Sequence, residues 1–380
     1  MIVYLMMFFL SEIAALISTH FSLGQNSVNL IYQKKYLDVN GLLARFFLWL
    51  SVIPFLFVAA ARYRVGTDYS VYLDMQIPQL LKGIDYKLEY EYLYQYLIKI
   101  GVSLGNTQWV FILTHVVLLF FLWESLKNLS ADRGMSIFIF MFGAFYNMSL
   151  NIMRQFIAMA IFMYAIKYII NRKIFIYFAL IIVAFMFHKS AMVFIPLYWL
   201  SRIKINDFVG LALIPSSVVL SEIIRRLLVK ITNFLGIYSN YFNGQFDSAD
   251  RQWDFIIFNL ILLLLMIFIR NFVPRNEPEK LYQATNITKT NSVDFETLLF
   301  NLQIVATIVS ALSSIIPNST RIIFMFSIGQ ILYFPYLLKK VKNKNYRLVF
   351  TLIIILVYVT VFIRLIVIKN IGDTLPYTFF

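Results

Sequence analysis

The chain has no cysteine among its 380 residues. That excludes a disulfide framework, a thiol nucleophile and a cysteine-ligated metal. Charge is also scarce. Asp, Glu, Lys and Arg make up 14% of the residues, against about a quarter in a soluble domain. There is no Asp-x-Asp, no His-Glu-x-x-His and no glycine-rich loop of the P-loop kind. Neither a metal nor a nucleotide is expected, nor any other cofactor. Internal repeats, low-complexity tracts and interdomain linkers are missing, so residues 1–380 read as one integral membrane domain. The first residues lack the basic n-region and cleavage site of a secretory signal, and 1–18 read as a retained first helix.

Apolar residues are plentiful. They form 61% of the chain, and the mean hydropathy is +0.76. No soluble fold hides this much apolar surface, so the solvent is lipid. Runs such as 260–269 and 352–363 carry no charge. A spanning helix needs roughly 20 mainly apolar residues, whereas a membrane β-barrel shows short alternating segments. The runs here are continuous. The expected fold is all-α, a polytopic helical membrane bundle of about twelve transmembrane segments. These lie near 1–18, 43–61, 107–123, 134–150, 152–170, 174–187, 190–201, 207–220, 253–270, 297–316, 322–338 and 348–367. The weakest run, 190–201, reads as half of a broken or re-entrant helix, which is tolerated where protein or a cavity covers it.

The formal net charge is +14, but the basic residues are dispersed between apolar runs. They read as orientation signals and not as a nucleic-acid surface. With the N-terminus outside, short and densely basic stretches such as 339–347 fall inside. Segments 62–106 and 221–252 are then extracytoplasmic, and 271–296 is a cytoplasmic loop. The first carries Tyr69, Tyr72, Tyr86, Tyr90, Tyr92, Tyr94 and Tyr96, which suit a membrane interface. The second opens with Ser221, Glu222, Arg225, Arg226 and Lys230 among apolar pairs at helical spacing. It reads as a helix lying in the interface or as a solvated loop helix.

Arg62, Arg64, Arg154, His188 and Arg321 stand at the ends of apolar runs on one side of this arrangement. Ionisable groups at membrane edges are costly, so five together read as a site for something anionic. In Arg62-Tyr63-Arg64-Val65-Gly66-Thr67-Asp68-Tyr69, Gly66 permits a tight turn and Thr67 or Asp68 can cap the next helix. Capping does not account for two arginines, whose forks match phosphate oxygens. Asn151, Arg154 and Gln155 share a face if a helix starts at Asn151. The plainer account there is a capped turn with a snorkelling arginine. His188, in His188-Lys189-Ser190-Ala191, is a candidate general base. Arg321 follows the helix-start signal Pro317-Asn318-Ser319-Thr320; its plainer role is an interface anchor. Asp68, Asp74, Asp85, Glu89 and Glu91 are the nearest acids to the first cluster. Glu89 and Glu91, two apart, are a weak cation signal.

Arg-x-x-x-Gly-Thr-Asp-Tyr, from Arg62 to Tyr69, closely resembles the first signature of the EpsG/Wzy-type bacterial polysaccharide polymerases. Asn151-Ile152-Met153-Arg154-Gln155-Phe156-Ile157-Ala158 is similar to their second, His188-Lys189-Ser190-Ala191 to their third, and an arginine opening a late helix, Arg321, to their fourth. The matches follow family order. The resemblance implies a metal-independent glycosyltransferase in the inner or cytoplasmic membrane, with its site facing outward. It would move a growing glycan from undecaprenyl diphosphate onto the next undecaprenyl-diphosphate-linked repeat unit. The partners implied are that donor, that acceptor and the lipid bilayer, with a chain-length-regulating co-polymerase as a further candidate. In this reading Arg154 and Arg321 grip the diphosphate and Arg62 or Arg64 closes over it. His188 takes or orients the acceptor proton, and Asp68 orients an arginine or substitutes as base. Tyr69, Tyr72, Glu91, Asn151 and Gln155 meet the substrate. An O-antigen ligase-like transferase shares these needs and differs in its acceptor. A flippase for the same lipid should instead carry polar residues near the midplane of several helices.

Overall fold

The computed structural model describes residues 1–28, 39–83, 91–236, 242, 251–273 and 289–380. The architecture is helical, and the described residues contain no strand beyond one isolated bridge between Arg62 and Phe379. Eight of the described helices are long and apolar enough to cross a membrane: Ile2–Phe21, Val39–Ala61, Gln108–Leu129, Met153–Ile170, Trp253–Arg270, Asp294–Ala311, Ser319–Lys340 and Lys344–Ile368. The chain is a multi-pass membrane protein.

Eight of the expected segments match these spans, and the other four are shorter elements. The run 134–150 breaks where Gly143 ends the helix Arg133–Phe142 and Ala144 turns left-handed at φ 62°. The helix Ile174–Phe187 has 14 residues, about 21 Å at 1.5 Å per residue, against a hydrocarbon core of about 30 Å. The run 190–201 divides into a tight turn Lys189–Phe194 and the four-residue helix Leu197–Leu200. The 13-residue helix Asp207–Val219 bends by 80° into Ser221–Leu235; if that pair is one crossing, the described spans number nine. The expectation of about twelve is therefore corrected to eight or nine among the described residues. Hydropathy counts apolar residues and cannot see where a helix breaks inside an apolar run.

Polar side chains knit the bundle where lipid offers no partner. Asn259 donates to Ser310 Oγ at 3.0 Å, and its Oδ1 accepts from Gln303, Ser327 and Gln330 at 3.2, 3.2 and 3.3 Å. Gln330 also donates to Gln303 at 2.8 Å and accepts from the Tyr358 hydroxyl at 2.9 Å. This network joins four spans and is buried throughout. Its members satisfy one another, as burial away from water demands.

After Ile368 the chain folds back over the end of the bundle. Gly66 and Thr67 donate backbone N–H groups to Asp373 and Gly372 at 2.9 and 3.0 Å. Tyr63 donates to Thr378 at 2.9 Å and Phe380 to Ala61 at 2.7 Å. Buried Thr374 accepts from Asn147 Nδ2 at its hydroxyl and from the Tyr4 hydroxyl at its carbonyl, both at 2.9 Å. These bonds clasp the turn that carries Asp68.

Candidate active site

Four chain breaks at one end of the bundle build the site. The span Val39–Ala61 ends at Arg62, and the chain turns through Arg64 at φ 50° and Gly66 at φ 100°. A side chain at Gly66 would adopt a conformation L-residues disfavour and would meet Asn151 Oδ1 at 2.8 Å. The helix Thr67–Ser70 then widens into a π-turn over Val71–Gln76, a form frequent at functional sites. Asp68, Tyr72 and Gln76, four apart, point into one cavity. Arg154 and Gln155 open the helix Met153–Ile170 directly after the turn 150–152. His188, extended at φ −160°, ends Ile174–Phe187. Arg321 lies in the first turn of Ser319–Ser327, behind left-handed Asn318.

The cavity, about 150 Å³, is lined by these side chains: Asp68, Tyr72, Gln76, Arg154, Gln155, His188 and Arg321, with Val71 and Ile152. A larger cavity of about 370 Å³ lies at the opposite helix ends, around Lys204, Arg270 and Glu296; none of the predicted residues is there.

One carboxylate organises the cationic side of the site. Glu91, immediately before the helix Tyr92–Ser103, is 7% exposed. Its Oε2 accepts from Arg154 Nη1 at 2.9 Å. Its Oε1 accepts from His188 Nδ1 and from the Lys189 backbone N–H, each at 2.9 Å. Arg154 Nε also donates to the Tyr72 hydroxyl at 3.0 Å. Gln155 Nε2 donates to the Arg321 carbonyl at 2.8 Å. Arg321 Nη2 lies 3.5 Å from Asp68 Oδ2, and its side chain is 41% exposed.

These contacts set the protonation states. Burial would push Glu91 up, but the His188 hydrogen bond, the Arg154 charge and the Lys189 N–H outweigh it and hold the carboxyl at about 2. Burial pushes His188 below its ordinary value, against the pull of Glu91. At neutral pH the pair is therefore carboxylate and neutral imidazole. Burial raises Asp68, opposed by Arg321 and Arg154.

Four predicted residues lie outside the cavity lining besides Glu91 at its back. Arg62 is fully buried; it donates to the carbonyls of Val65 and Leu150, and its guanidinium carbon is 5.4 Å from the ring centres of Tyr69 and Phe111. Tyr69 stacks on Phe111 at 4.2 Å and donates its hydroxyl to Gln108 at 2.8 Å. Asn151 is buried and accepts from the Thr67 hydroxyl at 3.1 Å. Arg64 points outward to Asp74 at 3.4 Å. The polar groups of Arg62, Tyr69 and Asn151 are engaged inside the protein, and none of the three lines the cavity. Arg64 holds no substrate-facing position in the cavity. Asp85 and Glu89 lie outside the described residues. Sequence reasoning missed Gln76, although the spacing of four from Asp68 and Tyr72 pointed to it, and missed the C-terminal clasp.

Ordered motifs along the chain thus meet in space, and the sequence profile of the EpsG family matches residues 45–379. The chain belongs to the EpsG family. No curated protein and no solved structure matches it. The matched region of this EpsG-family chain takes in every residue lining the cavity, and also the C-terminal clasp up to Phe379.

Proposed function

We propose that this chain polymerises undecaprenyl-diphosphate-linked oligosaccharide repeat units at the outer face of the cytoplasmic membrane. The observation that carries the reading is the convergence of Arg321, Arg154 and His188 on one cavity at the bundle end, in a chain of the EpsG family.

The reaction breaks the bond between the donor glycan's anomeric carbon and a phosphate oxygen of the lipid diphosphate. The oxygen of an acceptor sugar hydroxyl forms the new bond, and its proton passes to His188 Nε2. The lipid diphosphate leaves with the bonding electrons. Negative charge grows on the departing oxygen, and preorganised cations there act on the transition state more than on the ground state. Arg321 is the more exposed of the two arginines and takes the diphosphate; Arg154, fixed by Glu91 and Tyr72, adds a stationary charge beside it. Asp68 orients Arg321. Gln76 and Gln155 offer amides to sugar hydroxyls.

The remaining assignments follow the same reading. The chain is a single membrane domain with 62–106 and 221–252 outside and 271–296 inside. The helix Ser221–Leu235 lies in the outer interface. It buries no residue, and Ile223, Leu227, Ile231 and Phe234 are exposed along it beside Arg226 and Lys230, a pattern suited to the headgroup boundary. A co-polymerase would set chain length.

The test is reconstitution of purified protein in liposomes with the cognate repeat unit, isolated from cells lacking this chain. A ladder of products longer than one repeat is expected. Transfer only onto a lipid A core would favour a ligase, and transbilayer movement without new glycosidic bonds a flippase; either result overturns the proposal.

A further inference from the structure

We infer that Glu91 is a positioning residue for the reaction: its two oxygens present the His188 imidazole with its second nitrogen turned to the cavity and fix the Arg154 guanidinium alongside. The inference rests on the glycosyl-transfer reading above.

Glu91 is set behind the cavity and is not among its lining residues. Three donors occupy its carboxylate: Arg154 Nη1, His188 Nδ1 and the Lys189 N–H, each at 2.9 Å. That engagement opposes the expectation that Glu91 meets the substrate. An ionised carboxylate only accepts. The imidazole nitrogen facing it therefore carries the proton, which leaves Nε2 with a lone pair. His188 lines the cavity, so that lone pair serves an incoming hydroxyl. The Lys189 N–H bond holds the backbone that carries the ring, and limits rotation of the imidazole. Such a carboxylate behind an imidazole sets tautomer and orientation.

The surrounding charges explain why a carboxylate is needed there. His188 is faced by Arg154 from the helix Met153–Ile170, by Arg321 from Ser319–Ser327, and by Asp68 and Tyr72 from 67–76, with Lys189 next in the chain. Asp68 is engaged with Arg321 at 3.5 Å. When His188 accepts a proton it becomes a cation beside two arginines. Glu91, in contact with both His188 and Arg154, is the group placed to offset that repulsion. The same oxygen pair couples the base to the cation next to the leaving group.

The experiment compares wild type, Glu91→Gln, Glu91→Ala and His188→Gln in liposomes, with kcat/KM followed across pH. A parallel arm records imidazole 15N spectra, in which three histidines make assignment tractable. Glu91→Gln is expected to lower the plateau at least about tenfold and to move the acid limb to lower pH by about one unit, since the arginines then act on the imidazolium unopposed. Glu91→Ala should also mix the His188 tautomers, and His188→Gln should abolish the limb. A lowered plateau with limb and tautomer unmoved would mean Glu91 only holds the fold, and overturns the inference. So does wild-type behaviour of Glu91→Gln. Should wild type make no glycan, the polymerase reading fails, while the spectra still decide whether Glu91 sets the His188 tautomer.

Discussion

Replacing Arg321 by alanine separates catalysis from stability more cleanly than any other change in this site. The side chain is 41% exposed and makes one ion-pair contact, 3.5 Å from Asp68 Oδ2. Exposed pairs of that kind contribute about 0.2–1 kcal/mol. The backbone bonds stay: Arg321 N–H still donates to Asn318 at 3.0 Å, and its carbonyl still accepts from Gln155 at 2.8 Å. The alanine protein should therefore fold, with a loss under about 1 kcal/mol. Its effect on the reaction should be much larger. Removing one preorganised donor from a developing anion costs about 2.7–4 kcal/mol, or 10²–10³ in rate. Arg321→Lys keeps the charge but loses the planar fork, so it should fall between alanine and wild type. The assay is chain growth from a labelled lipid-linked repeat unit in liposomes, alongside thermal unfolding followed by tryptophan fluorescence. If Arg321→Ala stays within threefold of the wild-type rate at unchanged stability, the cavity does not take its anion at Arg321 and the argument fails.

Arg62 should behave in the opposite way: Arg62→Met removes two bonds from a charged donor to the carbonyls of Val65 and Leu150, worth about 1.5 kcal/mol each at the low end, so the unfolding midpoint should drop sharply. A raised KM at wild-type stability would instead return Arg62 to the substrate. Deleting residues 371–380 removes the clasp on Gly66 and Thr67; activity should fall at least about tenfold while the spans still insert, and full activity in the truncated protein contradicts the positioning role of this segment. For wild type, burial holds His188 below its ordinary value of 6.5, and Glu91 at about 2 stays ionised. Thus kcat/KM should be level at neutral pH and decline only below about 6.5 as the imidazole gains its proton; a decline beginning above pH 7 argues against His188 as the base. Asn259→Leu takes one shared acceptor from Gln303, Ser327 and Gln330, and should cost about 1 kcal/mol of stability, read as a lower midpoint with near-wild-type kcat/KM.

The clusters were legible because they mark places where apolar helices stop, and stopping is local chemistry. Gly66, Asn151, His188 and Pro317 each interrupt a run within a few residues of a cationic or base-bearing side chain. In the twelve-segment reading these interruptions share one side, and Asp68, Arg154, His188 and Arg321 do line one cavity. What stayed hidden depends on distant partners. Glu91, named as a substrate contact, instead bonds residues 63 and 97 positions away, a pairing that nothing near it in sequence marks. The Tyr63–Thr378 bond joins opposite ends of the chain, and the C-terminal residues have no helical period to betray their partner. Arg62 and Arg64 show the limit most sharply. They sit two residues apart with the same charge and share the flanking Tyr63. Arg64 takes a left-handed conformation at φ 50°, and the chain reverses there, so one guanidinium is buried under Leu150 while the other faces out to Asp74. Composition, hydropathy and spacing are nearly identical for the two. The backbone turn at Arg64, tied to the C-terminal segment by the bonds of Tyr63 and Gly66, separates the core arginine from the surface one, and Arg154 and Arg321 are the arginines that line the cavity.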